Sequence, residues 1–407
     1  MTTRRRFLRQ GLLGGLGLGA GLTLPRVARA DAGGLLLVYW VPGGWDPAYC
    51  FDPHFETGAL DRDPDSAPGT AGGLSFADAP SRPSVAAFFG RHADRTVIIN
   101  GLAVGSISHT QCTRLVLTGS RRPDAADLAT RVASSSGAFA LPHLVVSGPR
   151  FPGDLGATTV PLNPLLTGTV RGELPRGAPV DVEREALLRA YLTDAAAALP
   201  DGAPADAARQ GLDRLADLEA AVDSIHLMEF ATDRERLDAG VAALGQGLSR
   251  CVTVGGSLPF MSQWDSHTNN HFYQDRNFEH LFGELAQLMS RLEALPDPSG
   301  AGSLADVTTV LVMSEMGRTP VQNATGGKDH WPYTSLMVIG PGVAGGRVLG
   351  ATNQALVGQP IDLGSGEPTP TGDVLTPAAL GAGLLQHLGA DPAAHFPDVA
   401  PFTAPFA

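Results

Sequence analysis

Apolar runs alternate with polar, glycine-rich segments along this chain. Gly34 to Val41 (GLLLVYWV) is apolar throughout and ends in Pro42-Gly43-Gly44-Trp45-Asp46. Arg95 to Ile99 ends at Asn100-Gly101. Leu144 to Val146 and Cys251 to Val254 are shorter runs of the same kind. Val307 to Met313 stops abruptly at Ser314-Glu315-Met316-Gly317-Arg318, and Ser335 to Ile339 closes on Gly340-Pro341-Gly342. Short apolar runs bounded by turn residues predict strands buried on both faces, as in a parallel or mixed sheet. Between them the period changes. Ser84 to Arg91, and Ser108 to Leu117 with Gly119 as its stop, predict short helices. Asn277 to Leu295 places Phe278, Leu281, Phe282, Leu285, Leu288 and Met289 on one face. Thr376-Pro377 opens a last helix with Thr as N-cap and Pro at its first position, ending at Gly389.

Residues 52–82 and 343–373 read as irregular, rich in Gly, Pro, Asp and Ser. From Val180 to Leu248, alanine, leucine and alternating charges repeat at helical spacing, and Pro200 to Pro204 divides them into two helices. This region predicts a helical insertion, about residues 180–249, on a single domain covering residues 31–407. Strand, polar loop and helix recurring in that order predict a three-layer α/β/α sandwich with a mostly parallel sheet.

In such sheets, chemistry collects beyond the carboxyl ends of the strands. Polar clusters follow the apolar runs: Asp46, then Asp265 with His267, then Glu315 with Asp329 and His330. Carboxylates and imidazoles are the donors that a divalent cation takes. Side chains two apart point the same way on extended backbone, so Asp265 and His267 can act together at a strand end. His109 is a candidate general acid or base or a structural residue behind a Ser108 cap. Arg318 and Lys328, the only lysine in the chain, are candidates to clamp an anionic ester. Pairing with Glu315, Asp329 or Asp265 is the alternative for both. Cys50 reads as a small buried hydrophobe.

The 407 residues suffice for a large core. Thr3-Arg4-Arg5-Arg6-Phe7-Leu8-Arg9, the Gly- and Leu-rich stretch Gly11 to Leu24, and Ala28-Arg29-Ala30 predict a twin-arginine signal over residues 1–30. The stretch is too short and glycine-diluted for a stable membrane span. The expected address is periplasmic or secreted, with the twin-arginine translocase as the partner during export. Removing residues 1–30 takes away six arginines and no acid, leaving 23 basic against 41 acidic side chains, a balance of −18. That excludes a general affinity for nucleic acid or anionic membrane. The odd count of three cysteines leaves at least one thiol unpaired within a monomer.

Several segments together resemble the DUF1501 family of exported bacterial proteins. They are Gly43-Gly44-Trp45-Asp46, Trp264-Asp265-Ser266-His267, Ser314-Glu315-Met316-Gly317-Arg318-Thr319-Pro320, Gly327-Lys328-Asp329-His330-Trp331-Pro332, and the run from Leu375-Thr376-Pro377 to Asp391-Pro392. The resemblance spans most of residues 31–400 and implies an alkaline phosphatase- and sulfatase-like fold. It implies metal ligands at Asp46, Asp265, His267, Glu315 and His330, with Asp329 of the same cluster as a further candidate, for zinc, calcium or manganese. Met316 stands where that pattern has a histidine, and no nucleophile follows Asp46. The implied outcome is one metal site or none. Two functions follow as expectations. One is an exported metal-dependent hydrolase of a phosphate or sulfate ester on a small molecule or glycan. The other is a non-catalytic exported binding or assembly protein that keeps the fold.

Overall fold

The computed structural model describes residues 34–162, 182–200, 202–225, 231–259 and 261–406. The twin-arginine segment lies outside them. Eight strands form one sheet: β1 (Leu35–Val41), β2 (Thr96–Ala103), β3 (His143–Val145), β4 (Thr159–Pro161), β5 (Cys251–Gly255), β6 (Thr308–Ser314), β7 (Tyr333–Ile339) and β8 (Arg347–Leu349). Their spatial order is β8-β2-β7-β6-β1-β5-β3-β4. β1 pairs in parallel with both β5 and β6, β3 lies parallel between β5 and β4, and β8 is parallel to β2. β7 alone is antiparallel, to β2 and to β6.

β1 explains why the central runs are apolar throughout. All seven of its residues are buried. Leu35, Leu37, Tyr39 and Val41 enter one core, while Leu36, Val38 and Trp40 enter the other. Successive strand side chains face opposite ways, so a strand covered on both sides needs an apolar residue at every position.

Eight helices are described: α1 (Pro83–His92), α2 (His109–Thr118), α3 (Leu128–Ser134), α4 (Val182–Ala197), α5 (Ala203–Ile225), α6 (Asp233–Gly245), α7 (Asn270–Ala294) and α8 (Pro377–His387). α1, α6 and α7 cover the first core, where Phe282 meets Phe88 at 5.3 Å and Phe89 at 5.1 Å between ring centroids. α2, α3 and α8 cover the second through Leu115, Leu128 and Leu384. The architecture is the expected three-layer α/β/α sandwich. No helix among the described residues is long and apolar enough to cross a membrane.

Element details differ from the sequence expectations. Residues 182–245 hold three helices, not two, because a capping box at Thr232 and Glu235 starts α6 afresh. Within the 52–82 stretch, Ala67–Ala71 and Leu74–Asp78 pair as a hairpin. α7 starts seven residues before the expected Asn277. β2 continues to Ala103, past the expected stop at Gly101.

All three cysteines are free and buried. Burial pushes the Cys50 thiol up to about 12 and the Cys112 thiol up to about 11, and raises Cys251 too. The thiolate is the reactive form. The native protein is therefore expected to show no thiol reactive toward an aromatic disulfide reagent at about pH 8. Unfolding in guanidinium should release all three. Rapid native labelling of any one would contradict this burial.

Candidate functional site

The sheet's topology gathers distant residues at one rim. The parallel strands β1, β2, β5 and β6 deliver Gly43-Gly44, His109, Asp265 and Glu315 beyond their carboxyl ends. β7 runs the opposite way, so its amino end lies at that same rim and carries His330 there. A short ladder between Gly317–Arg318 and His330–Trp331 ties the two loops together.

Asp265 sits at the focus. Its Oδ1 lies 3.2 Å from His267 Nε2 and 3.2 Å from His330 Nε2, and its Oδ2 lies 3.3 Å from His109 Nε2. The two imidazole nitrogens of His267 and His330 are 3.0 Å apart. Ligand atoms of His109, Asp265 and His330 all fall within 4.8 Å of one another, the one such group among the described residues.

The opposite nitrogen of each ring is also engaged. His330 Nδ1 donates to the Ile107 carbonyl at 2.7 Å. His267 Nδ1 donates to Asp329 Oδ1 at 2.9 Å, and His109 Nδ1 donates to Glu315 Oε1 at 2.8 Å. Each of these acceptors is a carbonyl or carboxylate oxygen, so each ring can keep a proton on Nδ1 and offer Nε2 to a cation. Three imidazole Nε2 atoms thus converge on one carboxylate. His109 Nε2 is shielded from solvent and has no hydrogen-bond partner. Such a convergence of acceptors fits a divalent cation, and the orphaned His109 nitrogen is the observation that tests the fit.

Charge around the focus is arranged with care for Asp265. Burial raises its carboxyl, but Arg318 overcomes that by hydrogen bond and charge, with His330 and His109 adding to it. The carboxyl is held down at about 2. Arg318 is fully buried and reaches Asp265 Oδ1 at 2.7 Å. Its other donors go to the carbonyls of Gly44 (2.8 Å), Lys328 (3.3 Å) and Gly43. Gly43 and Gly44 have φ of +110° and +79°. A Cβ on Gly44 would come within 2.8 Å of Met316 Cγ. Glycine is what lets this turn present two carbonyls to one guanidinium.

Glu315 acts on the site through His109. It is buried, and its Oε1 also accepts from Gly43 N at 2.7 Å. The hydrogen bond that His109 donates to Glu315 raises its imidazole, against the opposing effect of burial. A carboxylate that holds the far nitrogen of a ligating histidine sets the ring's orientation and basicity. Glu315→Gln is therefore expected to lower divalent-ion affinity about 10–100-fold with the fold intact. Competition against a fluorescent chelator would measure it; unchanged affinity would remove Glu315 from the site.

Asp46 and Lys328 lie together beneath this centre. Lys328 Nζ is 2.7 Å from Asp46 Oδ2, and both side chains are fully buried. Asn270 Nδ2 donates to the same oxygen at 2.9 Å, and Ala48 N to Oδ1 at 3.1 Å. The Asp46 carboxylate is thus occupied by an internal cation. Lys328 N donates to the Ser266 carbonyl at 3.0 Å, which stitches the 326–331 loop to the Asp265 segment. Gly327 makes that approach possible: a Cβ there would lie 1.9 Å from the His267 backbone. Met316 is wholly buried, in the second core and against Gly44.

A model of the DUF1501 family, described as a protein of unknown function, matches residues 165–396. That span contains Asp265, His267, Glu315, Arg318, Lys328, Asp329 and His330; Asp46 and His109 precede it. No curated protein matches the sequence. Among solved structures, Ps i-CgsB in complex with k-i-k-neocarrahexaose is similar at 9% identity and TM-score 0.42, over 92% of this chain and 76% of that one. The lipoteichoic acid synthase LtaP of Listeria monocytogenes is similar at 8% identity and TM-score 0.39, over 92% and 76%. A Bacteroides thetaiotaomicron protein from a locus for glycosaminoglycan metabolism is similar at 11% identity and TM-score 0.41, over 92% and 77%.

Proposed function

The chain belongs to the DUF1501 family, and from its rim we propose an exported metal-dependent hydrolase of phosphate or sulfate esters. His109, Asp265, His267 and His330 would hold one divalent cation. The observation that carries this reading is the convergence of three imidazole Nε2 atoms on the Asp265 carboxylate. Bound there, the cation would supply Lewis-acid polarisation of an ester oxygen and a more acidic water. The chain's own residues do the rest. Glu315 and Asp329 hold the protons of His109 and His267 on Nδ1, so both rings keep Nε2 free. Arg318 keeps Asp265 ionised and fixed. His267 and Asp329 lie at the solvent-facing side, where Asp329 is 62% exposed. Asp329, on that side, would exchange a proton with a substrate or leaving group.

A second reading is a binding protein built on the same centre. Its specific support is that Arg318 and Lys328 are both fully buried and already paired. Neither guanidinium nor ammonium is free to clamp an anionic ester.

The deciding experiment is elemental analysis of the mature protein, followed by turnover of aryl phosphates and aryl sulfates. The hydrolase reading expects a stoichiometric divalent ion and ester cleavage that Asp265→Ala removes. A bound ion without cleavage of either ester class selects the binding reading. Absence of a bound ion after loading with zinc, calcium and manganese ends both.

A further inference from the structure

A second concave feature lies on the α6–α7 side, away from the rim. It is a cavity of about 510 Å³ between these helices, the start of α1 and the segment after β5. That volume suits a small organic molecule.

The carboxylates of its wall are already engaged. Glu279 accepts from Ser84 N at 2.9 Å and Ser84 Oγ at 2.8 Å. Glu284 accepts from the Tyr39 hydroxyl and from Ser257 Oγ. Asp238, just behind, takes Arg291 at 2.7 Å and Arg234 at 4.0 Å. The wall's donors are not engaged to the same extent. Arg276 meets no carboxylate among the described residues and only overlies the Phe272 ring at 5.8 Å. The outer guanidinium nitrogens of Arg234 and Arg291 remain for another partner, and the Gln287 amide faces the same space. A wall whose carboxylates are all engaged and whose Arg276 is not leaves one guanidinium free for an anion. Arg234, Arg276 and Arg291 balance Glu279, Glu284 and Asp238, so this wall is neutral in a chain of net charge −12.

We propose that this cavity binds a small polyhydroxylated anion, a sugar or similar polyol bearing one carboxylate, phosphate or sulfate. The anionic group meets Arg276, with Arg234 and Arg291 beside it. The hydroxyls meet Gln287 and His280. Arg276 stands six residues into α7 from Asn270, about 9 Å along the axis at the helical rise. The cavity shares none of its lining residues with the rim, so the proposal does not depend on the metal reading.

Isothermal titration of the mature protein at low salt tests it, with glucuronate, glucose 6-phosphate, glucose 6-sulfate and glucose as probes. At least one anion is expected to bind at least about tenfold more tightly than glucose, and added salt should weaken it. The tightest of the three identifies the anionic group. Arg276 is exposed, so Arg276→Gln should fold normally, as a thermal melt will verify, and should lose about tenfold or more in affinity. Asp265→Ala should leave that binding unchanged. The proposal is overturned if no anion titrates up to about 10 mM. Equal affinity in Arg276→Gln, or loss of binding in Asp265→Ala, overturns it too, the latter by assigning the ligand to the rim.

Discussion

Asp265→Ala is expected to leave the protein without a stoichiometric divalent cation and without any ester turnover that depends on one. Asp265 is the group on which His109, His267 and His330 all converge. Its removal takes away the negative charge and leaves three imidazoles around an enlarged space. The loss should exceed the about 10–100-fold expected when an outer partner such as Glu315 is changed. Stability should change little. Arg318 keeps its three backbone carbonyls, and the carboxylate it loses is 41% exposed, so the pair is partly screened. A cost of about 1 kcal/mol is the expectation for such a pair. Elemental analysis and a urea titration on the same preparation separate the two effects. Retention of the ion by a well-folded Asp265→Ala protein would remove the centre as described.

Lys328→Met is expected to give the opposite pattern, with a large loss of stability. Lys328 and Asp46 are both fully buried and 2.7 Å apart. Removing the ammonium leaves a carboxylate with no counter-charge in a site closed to water. Breaking such a pair from one side costs about 3–5 kcal/mol. Removing both charges, in Asp46→Asn/Lys328→Met, should recover most of that, because the neutral amide still accepts from Ala48 N. Denaturant midpoints of the two single variants and the double variant give the coupling directly. If Lys328→Met shifts stability by less than about 1 kcal/mol, the pair is solvated and the burial is wrong.

Much of the rim was legible in the sequence, and the reasons for the rest are physical. Apolar runs at Leu35–Val41 and Val310–Met313 announce themselves because burial on both faces leaves little room for polar side chains. The Asp265-x-His267 spacing, read as extended backbone, brings both side chains to one point. Of the two partners offered for Arg318, a substrate anion or a carboxylate, the structure has the carboxylate of Asp265. The partner of Lys328 was not legible. Its pairing with Asp46 joins residues far apart in the chain, and composition cannot say which carboxylate an ammonium meets. The role of Glu315 depends on the Gly43 N–H and the His109 ring, which belong to other strands. The start of α7 was hidden because Asn270 and Gln274 are polar yet buried. They serve Asp46, Trp264 and Ser266 by hydrogen bonds, so the apolar period begins only at Phe278. The hairpin at Ala67–Asp78 was hidden by small residues, with a Gly72-Gly73 turn at positive φ.

The antiparallel course of β7 carries a consequence for assembly. His109 and Glu315 meet across 206 positions of sequence, and Gly43 and Glu315 across 272. The shortest stretch holding His109, Asp265, His267 and His330 spans most of the sheet, so no short fragment could be ordered by a cation in isolation. A bound ion would be a latecomer, captured after the long-range strand pairings close. Chelation should accordingly leave refolding rates untouched while shifting only the unfolding of the finished molecule.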